Sequence, residues 1–95
     1  MFKFDLSQDL KKTIELLKKK NSSLAEQLNK KMKQIIESDD ETIEHYKNLK
    51  YDFSNKKRVH VGENFVLTFS VDIPNNHILF LEFEHRDKIY IRLIL

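Results

Sequence analysis

Apolar and polar residues alternate at the start of this chain, then recur at helical spacing, then alternate again. Phe2, Phe4 and Leu6 are interleaved with Lys3 and Asp5, the period-2 pattern of a short, half-buried strand. Ser7 follows as an N-cap. Leu10, Ile14 and Leu17, spaced by four and three residues, then mark one face of a helix to about Lys20, with Lys11, Lys12, Lys18 and Lys19 largely on other faces. Asn21, Ser22 and Ser23 break it, and Ser23 with Glu26 matches a capping box. Leu24, Leu28, Met32, Ile35 and Ile36 define a second amphipathic helix ending near Ser38. So short a break predicts an antiparallel helical hairpin. Asp39 or Asp40 is placed to cap one further turn through Ile43 and Tyr46, and the polar stretch from Lys47 to Lys56 reads as a loop.

The alternating pattern returns at residues 57–61 and 65–71, joined by Gly62, Glu63 and Asn64. A three-residue connection of this kind suits a hairpin in which Gly62 or Asn64 takes the left-handed conformation. If Val61 faces Phe65, then Val59 faces Leu67 and these four share the core side. Arg58, His60, Val66 and Thr68 share the other, expected to be exposed. A second turn at Pro74, Asn75 and Asn76 leads to a last strand. There Leu79, Leu81 and Phe83 are expected in the core, with Ile78, Phe80 and Glu82 facing away. The order is β-α-α-β-β-β, an α+β layer arrangement in which a small, largely antiparallel sheet packs on an N-terminal helical hairpin.

Ninety-five residues make one small domain, 1–95. There is no cysteine, which removes disulfides and thiolate metal sites and fits a reducing compartment. No apolar run is long enough for a membrane helix, and the N-terminal residues do not resemble a signal peptide, so a cytoplasmic location is expected. The net charge of +2 says little, but its distribution says more: residues 1–50 hold eleven lysines against nine acids, and residues 51–95 hold six of each sign. Any nucleic-acid-binding patch must therefore be local, with the helix lysines adding a diffuse field.

Arg58, His60, His85, Arg86, Lys88 and Tyr90 are all attached to the same small sheet. Such groups can grip a phosphodiester, move a proton and stack on a base. Each also has an ordinary reading: His60 as an exposed strand residue, His85 and Arg86 as a solvated strand end paired with Asp87, Tyr90 as a core aromatic. Glu82 is a candidate to orient His60, although a solvated carboxylate is the simpler reading. His45 and His77 sit in loop-like contexts. No histidine pair has metal-ligand spacing, and no nucleophile motif or glycine-rich phosphate loop occurs. Ile91 to Leu95 form an unusually apolar end.

Four pieces together resemble the RelE/ParE superfamily of toxins from bacterial and archaeal toxin–antitoxin pairs: the β-α-α-β-β-β order, Tyr46-Lys47-Asn48-Leu49 before the sheet, Arg58-Val59-His60-Val61-Gly62, and the closing His85-Arg86-Asp87-Lys88-Ile89-Tyr90. The last is similar to the ending of the RelE branch. The resemblance implies a metal-independent ribonuclease, without cofactor, that cuts mRNA on the ribosome and is held inactive by a co-expressed antitoxin. The 2′-OH next to the scissile phosphate would attack, leaving a 2′,3′-cyclic phosphate. By position it implies catalytic roles for Arg58, His60, His85, Arg86 and Tyr90. Histidine is the default proton carrier near neutral pH, and His60 is expected to be the main proton acceptor. Many relatives carry arginine where this chain has Val66, so the resemblance leaves the site one cation short. The alternative it implies is a non-enzymatic or degenerate protein of the same fold, such as a ParE-like DNA gyrase inhibitor.

Overall fold

Ser7 ends the first strand and begins the first helix, and it makes four hydrogen bonds in doing so, one of them from the Lys11 amide to its carbonyl at 3.0 Å. Its Oγ accepts from the Leu10 amide at 3.0 Å, the N-cap bond expected from sequence. Its own amide donates to the Phe80 carbonyl at 2.9 Å, and its hydroxyl donates to the Leu81 carbonyl. The computed structural model describes residues 1–48 and 56–88. Their elements run β1 (Lys3–Leu6), α1 (Gln8–Lys20), α2 (Ser22–Ile36), α3 (Asp40–Glu44), β2 (Lys47–Asn48), β3 (Lys56–Val61), β4 (Phe65–Asp72) and β5 (His77–His85). The sheet order is β1-β5-β4-β3-β2, with β1 parallel to β5 and the other pairs antiparallel.

The expected α+β architecture is present. Helices α1 and α2 pack together as a hairpin, with Ile14, Lys18, Ala25, Glu26 and Asn29 lining a cleft between them. Both helices lie on one side of the sheet, α1 over β5 and α2 toward β3. Leu10, Leu24, Leu28, Met32 and Ile35 pack there with Val61, Leu67, Phe69, Ile78, Phe80 and Phe83. Burying such side chains is the main favourable term for a chain this small.

Three local expectations are corrected. The cap of α2 is Asn21, whose side chain accepts from the Leu24 amide at 3.2 Å, rather than Ser23. The same residue closes α1 through its amide bond to the Leu17 carbonyl, so one position serves both helix ends. Lys47 and Asn48 are not loop: they pair with Arg58 and Lys57 as the edge strand β2. In β5, Ile78 and Phe80 are buried, whereas Leu79 and Leu81 are only partly so. The cause is a register shift: Thr68 pairs with Glu82 but Phe69 pairs with Phe80, which leaves Leu81 as the extra residue of a bulge. One inserted residue exchanges the two sides of the strand, so Phe80 and Phe83 both reach the core.

The turns follow their residues. Gly62 has φ +66°, where a side chain would be strained, and a Cβ there would lie 3.3 Å from Gln27 Oε1. At the other hairpin Asn76 takes φ 53°, and its carbonyl accepts from the Lys3 amide. Asp39 caps α3 by accepting from the Thr42 amide at 2.7 Å.

Ser7→Ala should destabilise the fold by about 1–3 kcal/mol, because it removes a helix cap and leaves a bulge carbonyl short of its donor. Chemical denaturation measures this, and Ser7→Thr should recover most of the loss. The hydrogen bonds from the Thr42 backbone and side chain hold the Asp39 carboxyl below its ordinary pKa of 3.8. Its stabilising contribution is therefore complete above that value and is lost as pH falls through the lower folded-state pKa. Asp39→Asn should keep the cap while removing this part of the acid dependence, as read by denaturation at pH values spanning that window.

Candidate nucleic-acid interface and active site

β3 alternates basic and apolar residues, and its pairing decides where the basic ones go. Val59 and Val61 face the helices; Lys56, Arg58 and His60 face away. On that far side the register sets residues in rows. Lys47, Arg58, Thr68 and Glu82 form one row, and His60, Val66 and Glu84 form the next. Glu84 rather than Glu82 thus shares the row of His60. Arg58 is half-buried and His60 is exposed.

The centre of this side is closed, against the expectation of an open face. Val66 is 0% exposed and Thr68 5%, and Arg58 Nε and one Glu82 carboxylate oxygen are buried as well. Alternation assigns a residue to a side of the sheet, and both sides of a central strand are available for packing. Val66 therefore occupies a packed position, and an arginine there would bring a guanidinium into it.

The strand end carries the other expected residues. His85 pairs with Phe65, on the helix side, and their rings meet edge to face with centroids 5.6 Å apart. His60 and His85 consequently stand on opposite sides of the sheet. His85 Nδ1 accepts from the Asp87 amide at 3.2 Å and lies 3.7 Å from an Asp87 carboxylate oxygen. Arg86 is exposed, with Nε 3.8 Å from the same carboxylate, so local pairing with Asp87 is present. The Arg86 amide donates to the Asn64 carbonyl at 2.8 Å, which fixes Arg86 beside the β3–β4 turn, at the end of the sheet where β3 carries His60. The structure brings Arg58 and His60 onto one face and Arg86 to the rim near them. Tyr90 and the apolar end from Ile91 to Leu95 lie outside the described residues.

Two polar residues escaped the reading of the sequence. Lys57 is 2% exposed; its Nζ donates to the Tyr46 carbonyl at 3.2 Å and lies 3.9 Å from a Glu44 carboxylate oxygen. A buried ammonium joining the end of α3 to β3 follows the rule that buried charge is paired and hydrogen-bonded. Its signal was its phase, the same as that of Val59 and Val61. His77 opens β5 instead of lying in a loop, and its Nε2 is 2.8 Å from an Asp5 carboxylate oxygen on β1. Among the described residues no group of three or more His, Asp or Glu side chains is arranged to hold a metal ion. No described helix is long and apolar enough to cross a membrane.

The chain is 34% identical over 90 residues, 95% of its length and 92% of the relative's, to a protein of Methanocaldococcus jannaschii named "Putative toxin RelE4". It is also 34% identical over 90 residues to an uncharacterized protein of Methanosarcina mazei, covering all of that relative. No family model and no solved structure matches. The fold and the near full-length match define the class: this chain belongs to the RelE-like toxins. Membership of that class implies an antitoxin partner.

Val66→Arg should destabilise the protein by about 3–5 kcal/mol, the usual cost of an uncompensated buried charge. A shifted denaturation midpoint measures it. An unchanged midpoint would mean that this position opens to solvent more readily than its packing indicates.

Proposed function

We propose that this chain is a ribosome-dependent mRNA endoribonuclease, neutralised by a cognate antitoxin. The observation that carries the proposal is the pairing of Arg58 and His60, two residues apart on one face of β3, with Arg86 tied to the adjacent turn. In the reaction, His60 takes the proton from the 2′-OH. The 2′-oxygen then bonds to the scissile phosphorus, and the bond to the 5′-oxygen of the next nucleotide breaks. The products are a 2′,3′-cyclic phosphate and a 5′-hydroxyl, so no water or metal enters the balance. Arg58 and Arg86 donate to the phosphoryl oxygens as negative charge grows in the transition state. The leaving oxygen needs a proton, and His85 or Tyr90 is assigned to supply it. His85 stands on the helix side of the sheet, opposite His60. The mRNA and the ribosome supply the remaining electrostatic contacts to the lysines of α1 and α2.

Two observations favour a second reading, a non-enzymatic toxin-fold protein such as a gyrase blocker. Val66 is buried at the position where the resemblance implies a cation, and His60 and His85 do not share a face.

Primer extension on mRNA from translating ribosomes separates the two. Wild type should yield discrete cuts. Arg58→Ala and Arg86→Ala should each slow cutting roughly ten- to a hundred-fold, the worth of one charge-assisted phosphate contact. His60→Gln should lose cutting while retaining the fold. Equal cutting by His60→Gln would remove it as the base, and absence of cutting by wild type would favour the second reading.

A further inference from the structure

Lys47 stands directly opposite Arg58 in the register of β2 and β3, so both side chains leave the sheet on the far face. A directly opposed pair has its Cβ atoms about 4.5–5.5 Å apart, and like charges so placed repel. An anion seated between them turns that repulsion into attraction. Lys47 is exposed while Arg58 is half-buried, so the lysine is the member of the pair that meets solvent first.

The rest of the face sets a direction. The row of Lys47 and Arg58 continues through the buried Thr68 and ends on β5 in Glu82. The row of His60 continues through the buried Val66 and ends in Glu84. Cations therefore lie on the β2–β3 flank and carboxylates on the β5 flank, and a polyanion crossing this face is drawn to the former. Along β3, residues two apart are separated by about 6.6 Å, close to the spacing of successive phosphates in an extended RNA strand.

The chemistry then fixes polarity. With His60 taking the proton of the 2′-OH and Arg58 on the scissile phosphate, the attacking ribose lies toward the β3–β4 turn. The leaving nucleotide lies on the other side of Arg58, where Lys47 stands. The phosphate at its 3′ end is the next anion along the strand.

We propose that Lys47 binds the RNA phosphate one nucleotide to the 3′ side of the cut, and so returns to the site, from β2, the positive charge that Val66 does not supply from β4. An ammonium on a flexible stem suits this task, because it acts as a point charge and needs no bidentate geometry. The assignment rests on the endoribonuclease reading. Its competitor is an edge lysine that only keeps the strand from pairing with other chains.

The experiment is single-turnover cutting by the full chain on ribosomes programmed with a short mRNA. One phosphate, either next downstream or next upstream of the mapped cut, is replaced by a neutral methylphosphonate. Downstream replacement should slow wild type roughly tenfold, and Lys47→Ala should slow cutting of unmodified mRNA by a similar factor. Combined, the two changes should cost little more than either alone, the mark of a shared interaction. Upstream replacement should affect wild type and Lys47→Ala alike. Lys47→Arg should keep both the rate and the sensitivity to downstream replacement. Lys47→Ala should unfold at the denaturant midpoint of wild type or above it, since it relieves a like-charge pair, whereas a structural role would lower the midpoint. If Lys47→Ala does not fold, Lys47→Met, which keeps the stem, takes its place. Indifference of wild type to downstream replacement, or effects of the two changes that simply multiply, overturns the Lys47 contact and leaves the endoribonuclease standing. Absence of cutting of unmodified mRNA by wild type overturns both.

Discussion

The bulge at Leu81, held by Ser7, is the constraint on which the rest of the sheet depends. An unbulged β5 would put Leu79, Leu81 and Phe83 on one side and Ile78, Phe80 and Glu82 on the other. The extra residue re-phases the strand, so the buried set becomes Ile78, Phe80 and Phe83. A bulge interrupts the ladder and leaves carbonyls to be satisfied from elsewhere. Ser7 supplies donors to two successive ones, at Phe80 and Leu81, while capping α1. The same residue thus seats the strand, starts the helix that covers it and joins β1 to β5.

That phase reaches the site. Beyond the bulge, Glu82 and Glu84 turn to the side of Arg58 and His60, and His85 turns to the side of Phe65 and the helices. The basic residues gather where β3, the β3–β4 turn and the end of β5 meet. There the Arg86 amide is tied to Asn64, and Gly62 supplies the positive φ that brings the turn against α2. Arg58 and His60 owe their common face to simple alternation. Arg86 owes its position to the length of β5, bulge included.

The two edges of the sheet are managed differently. Among the described residues, Lys47 and Asn48 of β2 form one edge of the sheet. β1 is pinned at both ends, by Asn76 and by Ser7, and further held by the Asp5–His77 contact, yet it leaves its middle outward-facing.

Much of this was legible in the residues. The periodicity of Leu10, Ile14 and Leu17, and of Leu24, Leu28, Met32 and Ile35, determined two amphipathic helices; Ser7 determined one cap and the Asp39–Asp40 pair another; residues 62–64 determined a hairpin turn, and alternation put Arg58 and His60 on one side. These are local properties, decided by a few neighbouring residues. The bulge was not legible, because an inserted residue shows itself only against a partner strand. Nor was the burial of Val66 and Thr68: alternation names a side, and only packing decides whether that side meets water. The phase of Lys57 put it on the core side, whereas the Tyr46 carbonyl that receives its ammonium came only with the tertiary structure. Asn21 and Ser23 were both chemically competent caps, and the separation of α1 from α2 by a single residue chose between them. Sequence determined which groups this protein has and roughly where along the chain they act. The tertiary structure decided which of them face each other, because that depends on register between strands distant in the chain.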